Sequence, residues 1–249
     1  MNDLTSKSAL ITGASSGIGA ATARMLAKAG LRVAIAARRT ERLEALKREI
    51  LDDGGNAFVV QMDVSRLSSV EKGVDEVMRA FGSIDILFNN AGVMPISDID
   101  QLRITEWNAM VDINLKGVLN TTAAVLPIMI RQHSGHVLNT SSIAGRKVFG
   151  PGYTVYSATK FAVTAFSEGL RMEVGKKHNI RVTCIQPGAV ATELSEQTKD
   201  PEKRKELDDY QSVVRFLDPD DIASAILYAI QAPQHVNVAE MFLLPIDQA

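Results

Sequence analysis

A tyrosine and a lysine four positions apart form the most informative pair in the chain. Tyr156 and Lys160 stand in the run Tyr-Ser-Ala-Thr-Lys, inside a stretch, Tyr153–Lys177, that is predicted to be one long helix. Residues four apart share a face of a helix, so these side chains project side by side. A phenol titrates near ~10, and a neighbouring ammonium lowers its pKa towards the range of a general acid–base group. The pair predicts acid–base chemistry; the alternative is an ordinary helix that carries both residues without a role.

A glycine-rich turn follows the first predicted strand, Ser8–Thr12, and leads into an alanine-rich helix that ends at Ala29. Strand, glycine turn and helix together are the context in which a dinucleotide pyrophosphate is bound, because glycines allow close backbone approach and the helix N-terminus offers free N–H groups. The alternative is a tight turn without a ligand. The predicted cofactor contacts in this turn are Gly13, Ser15, Ser16, Gly17, Ile18 and Gly19.

The residues after the second predicted strand, Arg32–Ala36, indicate which nicotinamide cofactor is used. In a dinucleotide-binding fold an acidic residue here selects NAD, whereas arginine accommodates the 2′-phosphate of NADP. The sequence has Ala37, Arg38 and Arg39, and no acid. It therefore predicts NADP(H), with two solvated arginines at a helix start as the alternative.

The remaining predicted strands also end in small or polar residues. The strands are Asn56–Gln61, Ile84–Phe88, Gly135–Thr140, Ile180–Gln186 and, last, Ala239–Leu244. Since the carboxyl ends of parallel strands meet at one edge of a sheet, the residues that follow them converge there. For Asp63 a plain turn role is the alternative to a contact with adenine. The predicted cofactor contacts at these ends are Asp63, Val64, Asn90, Ala91, Gly92, Pro187, Gly188, Val190 and Thr192.

Alternating strands and helices predict one α/β domain over residues 1–249, with a doubly wound, seven-stranded parallel sheet and helices on both faces. Asn114 lies inside the apolar helical pattern Glu106–Arg131, where a polar network would explain it. Thr40 and Asp218 are predicted helix caps. Residues 190–215 are predicted to form a mobile substrate loop over the site, and Glu196–Asp209 is too polar for core.

Composition excludes several classes of protein. The formal net charge of −2 offers no field that attracts nucleic acid or anionic membranes. No apolar run is expected to span a membrane, no signal segment precedes the first strand, and a cytoplasmic protein is predicted. The single cysteine, Cys184, reads as a buried small hydrophobe, and the four histidines lack metal-ligand spacing, so no metal site is expected.

Taken in order, these motifs resemble the classical short-chain dehydrogenase/reductase family over essentially the whole chain. The motifs are Thr12–Gly19, Asn89-Asn90-Ala91-Gly92, Asn114, Ser142, Tyr156-x-x-x-Lys160 and Pro187-Gly188 with Thr192. Within the family, the stretches Ala34–Arg39, Ser141–Arg146 and His235–Glu240 look most like NADP-dependent 3-hydroxy acid (serine-type) dehydrogenases and clavulanic acid dehydrogenase. The ending Leu244-Pro245-Ile246-Asp247-Gln248 departs from those relatives.

The resemblance implies hydride transfer between a nicotinamide and a carbonyl or alcohol carbon of a small-molecule substrate. It implies Tyr156 as general acid and base, Lys160 as the residue that lowers its pKa and holds the ribose, and Thr192 as a contact of the carboxamide. It assigns the substrate oxygen to Ser142, with Ser141 as the alternative, and a water of a proton relay to Asn114.

The substrate pocket is expected to involve Met94, Pro95, Ile96, Arg146, Val148, Phe149, Tyr153 and the region Val190–Leu194. Arg146 is the candidate anchor for a substrate carboxylate, with solvent exposure as its alternative. A catalytically silent NADP sensor, an NAD-linked alcohol dehydrogenase and an epimerase or dehydratase are the rival functions. A homotetramer is expected from apolar stripes on two helices, Ile113–Arg131 and the helix after Tyr156.

Overall fold

The computed structural model describes residues 4–248 and contains one parallel sheet in that range. The strands are β1 (Ser8–Thr12), β2 (Arg32–Ala37), β3 (Asn56–Gln61), β4 (Ile86–Asn89), β5 (Gly135–Thr140), β6 (Ile180–Pro187) and β7 (Glu240–Leu243). Their order is β3-β2-β1-β4-β5-β6-β7, and every neighbouring pair is parallel. The order reverses between β1 and β4, which is where a doubly wound sheet opens a crevice for a ligand.

Helices cover both faces of the sheet. They are α1 (Gly17–Lys28), α2 (Thr40–Asp52), α3 (Leu67–Phe81), α4 (Ile104–Met110), α5 (Gly117–Gln132), α6 (Thr154–His178), α7 (Pro201–Val213) and α8 (Pro219–Gln231). One hydrophobic core lies under α1, α2 and α8, and a second lies under α3, α5 and α6. Strands buried on both sides need continuous apolar sequence, which β1 and β2 have. The predicted fold is confirmed, including the seven strands.

Helices α4 and α5 are joined by one π-helical segment, Val111–Lys116, so that Ile104–Gln132 forms a continuous helical stretch. This stretch has 29 residues and a mean hydropathy of 1.4 in its most apolar window. The expectation that no apolar run reaches membrane-spanning length was therefore wrong as to length. Its apolar face packs against the sheet and α3, with Val125 and Met129 fully buried, as expected for a helix of a protein core.

Two predictions about helix starts had different outcomes. Asp218 caps α8 in a capping box with Asp221, as predicted. Thr40 does not cap α2, because the helix begins at Thr40 itself and Arg39 occupies the cap position without a side-chain bond. The guanidinium of Arg39 is instead engaged with the glycine turn.

A short 3₁₀ turn, Ser195–Gln197, and α7 form a cover over the sheet edge, which we call the lid (residues 195–213). The prediction that this polar segment contributes nothing to the interior was wrong at three positions. Thr198, Asp200 and Lys203 are buried. Specific polar partners make this possible: Thr198 bonds the backbone of Met94 and Ile96, Asp200 caps α7, and Lys203 pairs with Asp98.

Candidate active site

The carboxyl ends of the strands border one cleft of about 910 Å³. Its centre lies at the reversal of strand order, where Thr12 ends β1. The Thr12 hydroxyl donates to the Phe88 carbonyl at 3.3 Å and accepts from the backbone N–H groups of Asn90 and Ala91. The Asn90 amide in turn donates to the Thr12 carbonyl at 3.2 Å. These bonds hold the glycine turn and the Asn90 turn together as the floor of the cleft.

The glycine turn has the backbone that its sequence requires. Gly13 and Gly17 have φ values of +66° and +54°, in the left-handed region that side chains disfavour. A Cβ atom on Gly19 would lie 2.5 Å from the Gly13 carbonyl oxygen, so only glycine lets α1 approach the turn this closely. Ser16 precedes α1 and its side chain makes no capping bond, which leaves the N–H groups of the first turn facing the cleft. This arrangement fits a dinucleotide pyrophosphate.

Arg39 lies against the serines of the glycine turn and is tied to the far side of the cleft. Its guanidinium donates to the Ser15 hydroxyl at 2.9 Å and the Ser16 hydroxyl at 3.2 Å. Glu193, which follows β6, accepts from Arg39 at 3.4 Å and from Arg42 at 2.6 Å. We call this bridge between Glu193 and the two arginines the strap. These arginines lower the pKa of the Glu193 carboxyl, Arg42 contributing most.

The other predicted cofactor residues line the same cleft, and several have structural partners as well. Asp63 accepts from the backbone and hydroxyl of Ser65 at 3.1 and 2.7 Å, which is the plain turn role named as its alternative. A Cβ atom on Gly17 would lie 3.0 Å from the Thr192 methyl group, so Thr192 lies over the glycine turn. The remaining lining positions of this group are Ile18, Arg38, Val64, Ala91, Gly92, Pro187, Gly188 and Val190.

Tyr156 and Lys160 lie together at the inner end of the cleft. Both are buried, with 5% and 4% of their surface exposed, and the lysine Nζ lies 5.7 Å from the centre of the tyrosine ring. Nζ donates to the Thr140 carbonyl at 2.9 Å. Burial raises the pKa of Tyr156 to about 12, opposed by a hydrogen bond with Ser142, and burial lowers the pKa of Lys160 to about 8.

These pKa directions correct the sequence-based expectation. A helical spacing of four predicted that the ammonium would lower the phenol pKa. Both side chains are shielded from water, and a low-dielectric surrounding favours the neutral form of each group. Burial is therefore the larger influence on Tyr156, which remains a protonated phenol at neutral pH.

The two serines after β5 have different surroundings. The Ser141 hydroxyl is used within the fold, since it donates to the Lys160 carbonyl at 2.9 Å and shares a bond with Thr164 at 2.8 Å. The Ser142 hydroxyl accepts from the Ala144 backbone at 3.0 Å and interacts with Tyr156. Both residues line the cleft. Ser142 is the one placed beside the phenol.

Asn114 lies in the π-helical segment and joins Val93 to Thr159 through hydrogen bonds. Its amide donates to the Val93 carbonyl at 2.9 Å and the Thr159 hydroxyl at 3.2 Å, while its oxygen accepts from the Val93 N–H at 2.8 Å. A Cβ atom on Gly92 would lie 3.5 Å from this oxygen and 3.7 Å from the Lys160 Nζ. The absence of a side chain at Gly92 therefore leaves a space that both polar atoms border.

The outer end of the cleft differs from expectation at four positions, one of which is Pro95, a buried residue outside the cleft lining. Met94, Phe149 and Tyr153 line it as predicted. Arg146 is not among the lining residues of the described chain: it donates to Gln186 at 2.7 Å and Glu240 at 2.8 Å and packs over the Phe242 ring. Its role as a substrate anchor is therefore contradicted. Ile96 is 1% exposed within the fold, and Val148 is 56% exposed outside the cleft.

Sequence reasoning missed the lining residues that come from the lid and its flanks. These are Ser195, Glu196, Gln197, Leu207, Tyr210 and Phe216, whereas Glu193 and Leu194 belong to the expected Val190–Leu194 region. Tyr210 lies within the charged segment expected to cover the site and Phe216 follows it, and these large rings in a charged stretch were the available signal.

A doubly wound sheet with a glycine turn at one end of its cleft and a buried tyrosine–lysine pair at the other defines a nicotinamide-dependent oxidoreductase of the short-chain type. Residues 7–203 match the short chain dehydrogenase family, and the chain belongs to that family. An uncharacterised oxidoreductase of Listeria monocytogenes is 45% identical over 240 residues, covering 96% of both chains.

Two other relatives carry more specific names. The chain is 42% identical over 245 residues to glycine betaine reductase of Emericella nidulans, covering 98% of this chain and 19% of that much longer protein. Among solved structures, the closed form of a serine dehydrogenase complexed with NADP+ superposes with a TM-score of 0.89 at 33% identity, covering 97% of this chain and 96% of the other. The expected resemblance to serine-type dehydrogenases is thus confirmed at the level of structure.

Proposed function

We propose that the protein is an NADP(H)-dependent oxidoreductase that interconverts a carbonyl and an alcohol on a small-molecule substrate. The observation that carries this proposal is the meeting of Tyr156, Ser142 and Lys160 at the inner end of a cleft whose other end holds the glycine turn and Arg39. The cofactor would supply or accept a hydride at its nicotinamide ring. The protein residues hold the substrate oxygen and move a proton.

Tyr156 is the general acid in reduction and the general base in oxidation. Its raised pKa keeps the proton on the phenol until a carbonyl oxygen accumulates charge beside it. Ser142 donates a hydrogen bond to the same oxygen and stabilises that charge. Lys160 compensates the phenolate that remains and holds the ribose hydroxyls of the cofactor.

Proton return to Tyr156 uses the space beside Gly92. A water there would accept from Lys160 and donate to the Asn114 oxygen, the two polar atoms that border it. Both amide hydrogens of Asn114 are already donated to the protein, so the oxygen is the atom left for a relay water.

The cofactor contacts follow from the lining of the cleft. The glycine turn binds the pyrophosphate, Asp63 and Val64 border the adenine, and Arg38 and Arg39 take the 2′-phosphate. Thr192, above the glycine turn, takes the carboxamide of the nicotinamide. The NADP+ in the related serine dehydrogenase supports NADP(H) over NAD(H).

Of the two expected substrate classes, we favour a small aldehyde or ketone over a 3-hydroxy acid. Arg146, the expected anchor for a carboxylate, is bonded to Gln186 and Glu240 instead. The fungal relative whose name denotes reduction of glycine betaine supports reduction as the working direction.

Initial rates of NADPH and NADH oxidation with a panel of aldehydes, ketones and 3-oxo acids test the proposal. Turnover of a carbonyl with NADPH, faster than with NADH, is the expected result. Tight NADPH binding without any turnover would favour the silent sensor. Conversion of a substrate without net NADPH consumption would favour an epimerase or dehydratase, and preference for NADH would favour an NAD-linked alcohol dehydrogenase.

A further inference from the structure

Four aromatic rings border the outer end of the cleft, and we call them the aromatic cluster: Phe149, Tyr153, Tyr210 and Phe216. Phe149 and Tyr153 both precede α6. Their ring centres lie 5.8 Å apart, and the angle between the ring planes is 56°. The other two come from the lid and the residues after it, and their centres lie 5.7 Å apart at 52°. All four rings line the same cleft, so the two pairs border one space.

The aromatic cluster adjoins the reacting end of the cleft. Tyr153 precedes α6 and stands three residues before Tyr156, and both tyrosines line the cleft. A group bound among the rings would therefore belong to the same small molecule whose oxygen meets Tyr156.

The charges around the cluster favour a cation over an anion. Glu196 lines the cleft, and its carboxylate makes no hydrogen bond or ion pair within residues 4–248. The nearby Lys203 is neutralised by Asp98 at 3.1 Å and Glu206 at 3.0 Å. Lys147 lies 5.5 Å over the Phe149 ring but is exposed and outside the cleft lining.

The basic residues that do line the cleft in the described chain serve other groups. Arg38 and Arg39 lie at the glycine-turn end, and Lys160 belongs to the tyrosine pair. The substrate end thus offers ring faces and a carboxylate. Aromatic faces carry partial negative charge and attract organic cations, most strongly when these are removed from water.

We propose that the aromatic cluster with Glu196 binds an alkylated ammonium group of the substrate, so that the protein reduces small aldehydes or ketones that carry such a cation next to the carbonyl. This inference rests on the proposed carbonyl reduction. In the step, NADPH delivers a hydride to the carbonyl carbon, Tyr156 donates its proton to the oxygen, and an ammonium alcohol and NADP+ are released.

Two aldehydes of the same shape distinguish an effect of substrate charge from an effect of substrate size. Trimethylammonioacetaldehyde and 3,3-dimethylbutanal differ only in having N⁺ or C at the branched centre. With NADPH, kcat/KM per unhydrated aldehyde should favour the cation by about tenfold or more. Equal values, or faster reduction of the anionic succinic semialdehyde, would overturn the inference while leaving carbonyl reduction intact.

Substitutions assign the preference to the rings. Tyr210→Leu and Phe216→Leu should each reduce the cation-to-neutral ratio of kcat/KM about threefold or more, because leucine keeps an apolar contact but has no ring face. Tyr210→Phe keeps the ring and should retain the ratio. Glu196→Gln should lower it, whereas Glu202→Gln, an exposed carboxylate on α7 outside the cleft, should not. A ratio unchanged in all of these variants would contradict the assignment.

A binding measurement tests the cluster without turnover. Calorimetry of the NADPH-loaded protein, which cannot oxidise an alcohol, should give tighter binding of choline than of its neutral isostere 3,3-dimethylbutan-1-ol, and Tyr210→Leu should abolish the difference. If no carbonyl is reduced but this preference is found, the proposed reaction fails and the cation site stands. If carbonyls are reduced but the two alcohols bind equally, the cation site fails alone.

Discussion

At the scale of single residues, Tyr156 illustrates how position in the fold outweighs position on the helix. Four-residue spacing predicts that Lys160 is beside it, and the two side chains are indeed 5.7 Å apart, from the lysine Nζ to the ring centre. Burial could not be inferred from the spacing, and it raises the pKa of Tyr156 to about 12. The buried phenol accordingly carries its proton at neutral pH, as the general acid of a reduction must.

Replacing Tyr156 with Phe should remove most turnover and leave NADPH binding nearly intact. General acid–base catalysis contributes roughly 10²- to 10⁴-fold, and Phe preserves the shape of the ring. The measurement is kcat for reduction, with NADPH affinity by fluorescence as the control for folding. A variant that keeps more than about a tenth of the rate would refute the assigned role.

The pKa of Tyr156 can be read directly by ultraviolet difference titration of the cofactor-free protein against the Phe variant. Burial disfavours the phenolate, so no phenolate absorbance should develop below about pH 10, the ordinary value for tyrosine. A step near neutrality would instead show that the Lys160 ammonium outweighs burial.

Arg38→Gln combined with Arg39→Gln should weaken NADPH binding roughly 10- to 150-fold and spare NADH. Charge-assisted hydrogen bonds to phosphate are worth about 1.5–3 kcal/mol, which gives that range. Arg48→Gln, an exposed arginine on α2 that does not line the cleft, is the matched control. Equal losses for both cofactors would mean that the two arginines do not read the 2′-phosphate.

At the scale of elements, the lid is held in place by specific polar contacts that could not be predicted from its polar composition. Asp200 accepts from the backbone of Glu202 and Lys203 and so caps α7, and it is also bonded to Gln101 of the facing loop. These contacts fix the helix that carries Tyr210. The position of Tyr210 at the outer end of the cleft therefore depends on how well the lid is ordered.

Asp200→Ala should loosen the lid and raise KM for the carbonyl substrate several-fold, with little effect on NADPH affinity. Loss of a helix cap costs about 1 kcal/mol, which sets the expected size. Hydrogen exchange of α7 amides reports the loosening, and Asp208→Ala, exposed on the same helix, is the control. Unchanged exchange in α7 with a raised KM would place the effect elsewhere.

At the scale of the whole molecule, strand order and the convergence of Gly13, Asn90 and Ser142 on one edge follow from alternating strands and helices and were predictable. The hydrogen-bond partners of long side chains were not predictable from the sequence. Arg146 and Glu193 lie in similar positions after strand ends, yet the first is bonded away from the cleft and the second reaches across it. The partners of Arg146 are 40 and 94 residues away in sequence, and Arg42, which binds Glu193, is 151 residues away.

Exposed apolar residues support the proposal of a homotetramer. Much of the expected second stripe is buried within the chain, including Val118 and Val163, but Leu119 and Phe161 remain 40% and 42% exposed. Phe242 on β7 is 46% exposed at the open sheet edge. These are two separate surfaces, and two distinct two-fold contacts generate a tetramer.

Light scattering at micromolar concentration should give a mass close to four times the 27.0 kDa of one chain. Leu119→Glu with Phe161→Glu should reduce it to a dimer, because a desolvated charge opposes that contact. A mass near 27.0 kDa for the unmodified protein would rule out both interfaces. A mass near twice that value would leave one of them.

The strap joins the loop after β6 to the start of α2, and its side chains are 40–48% exposed. Because Arg39, Glu193 and the glycine turn line the same cleft, we expect a dinucleotide to open this bridge when it enters or leaves. Exposed ion pairs weaken as salt screens them. Dissociation of NADH, which lacks the 2′-phosphate, should therefore accelerate with ionic strength in stopped-flow fluorescence and become insensitive to it in Glu193→Gln. The rate at which the cofactor dissociates, and with it the turnover rate, would then depend on the salt concentration around the protein.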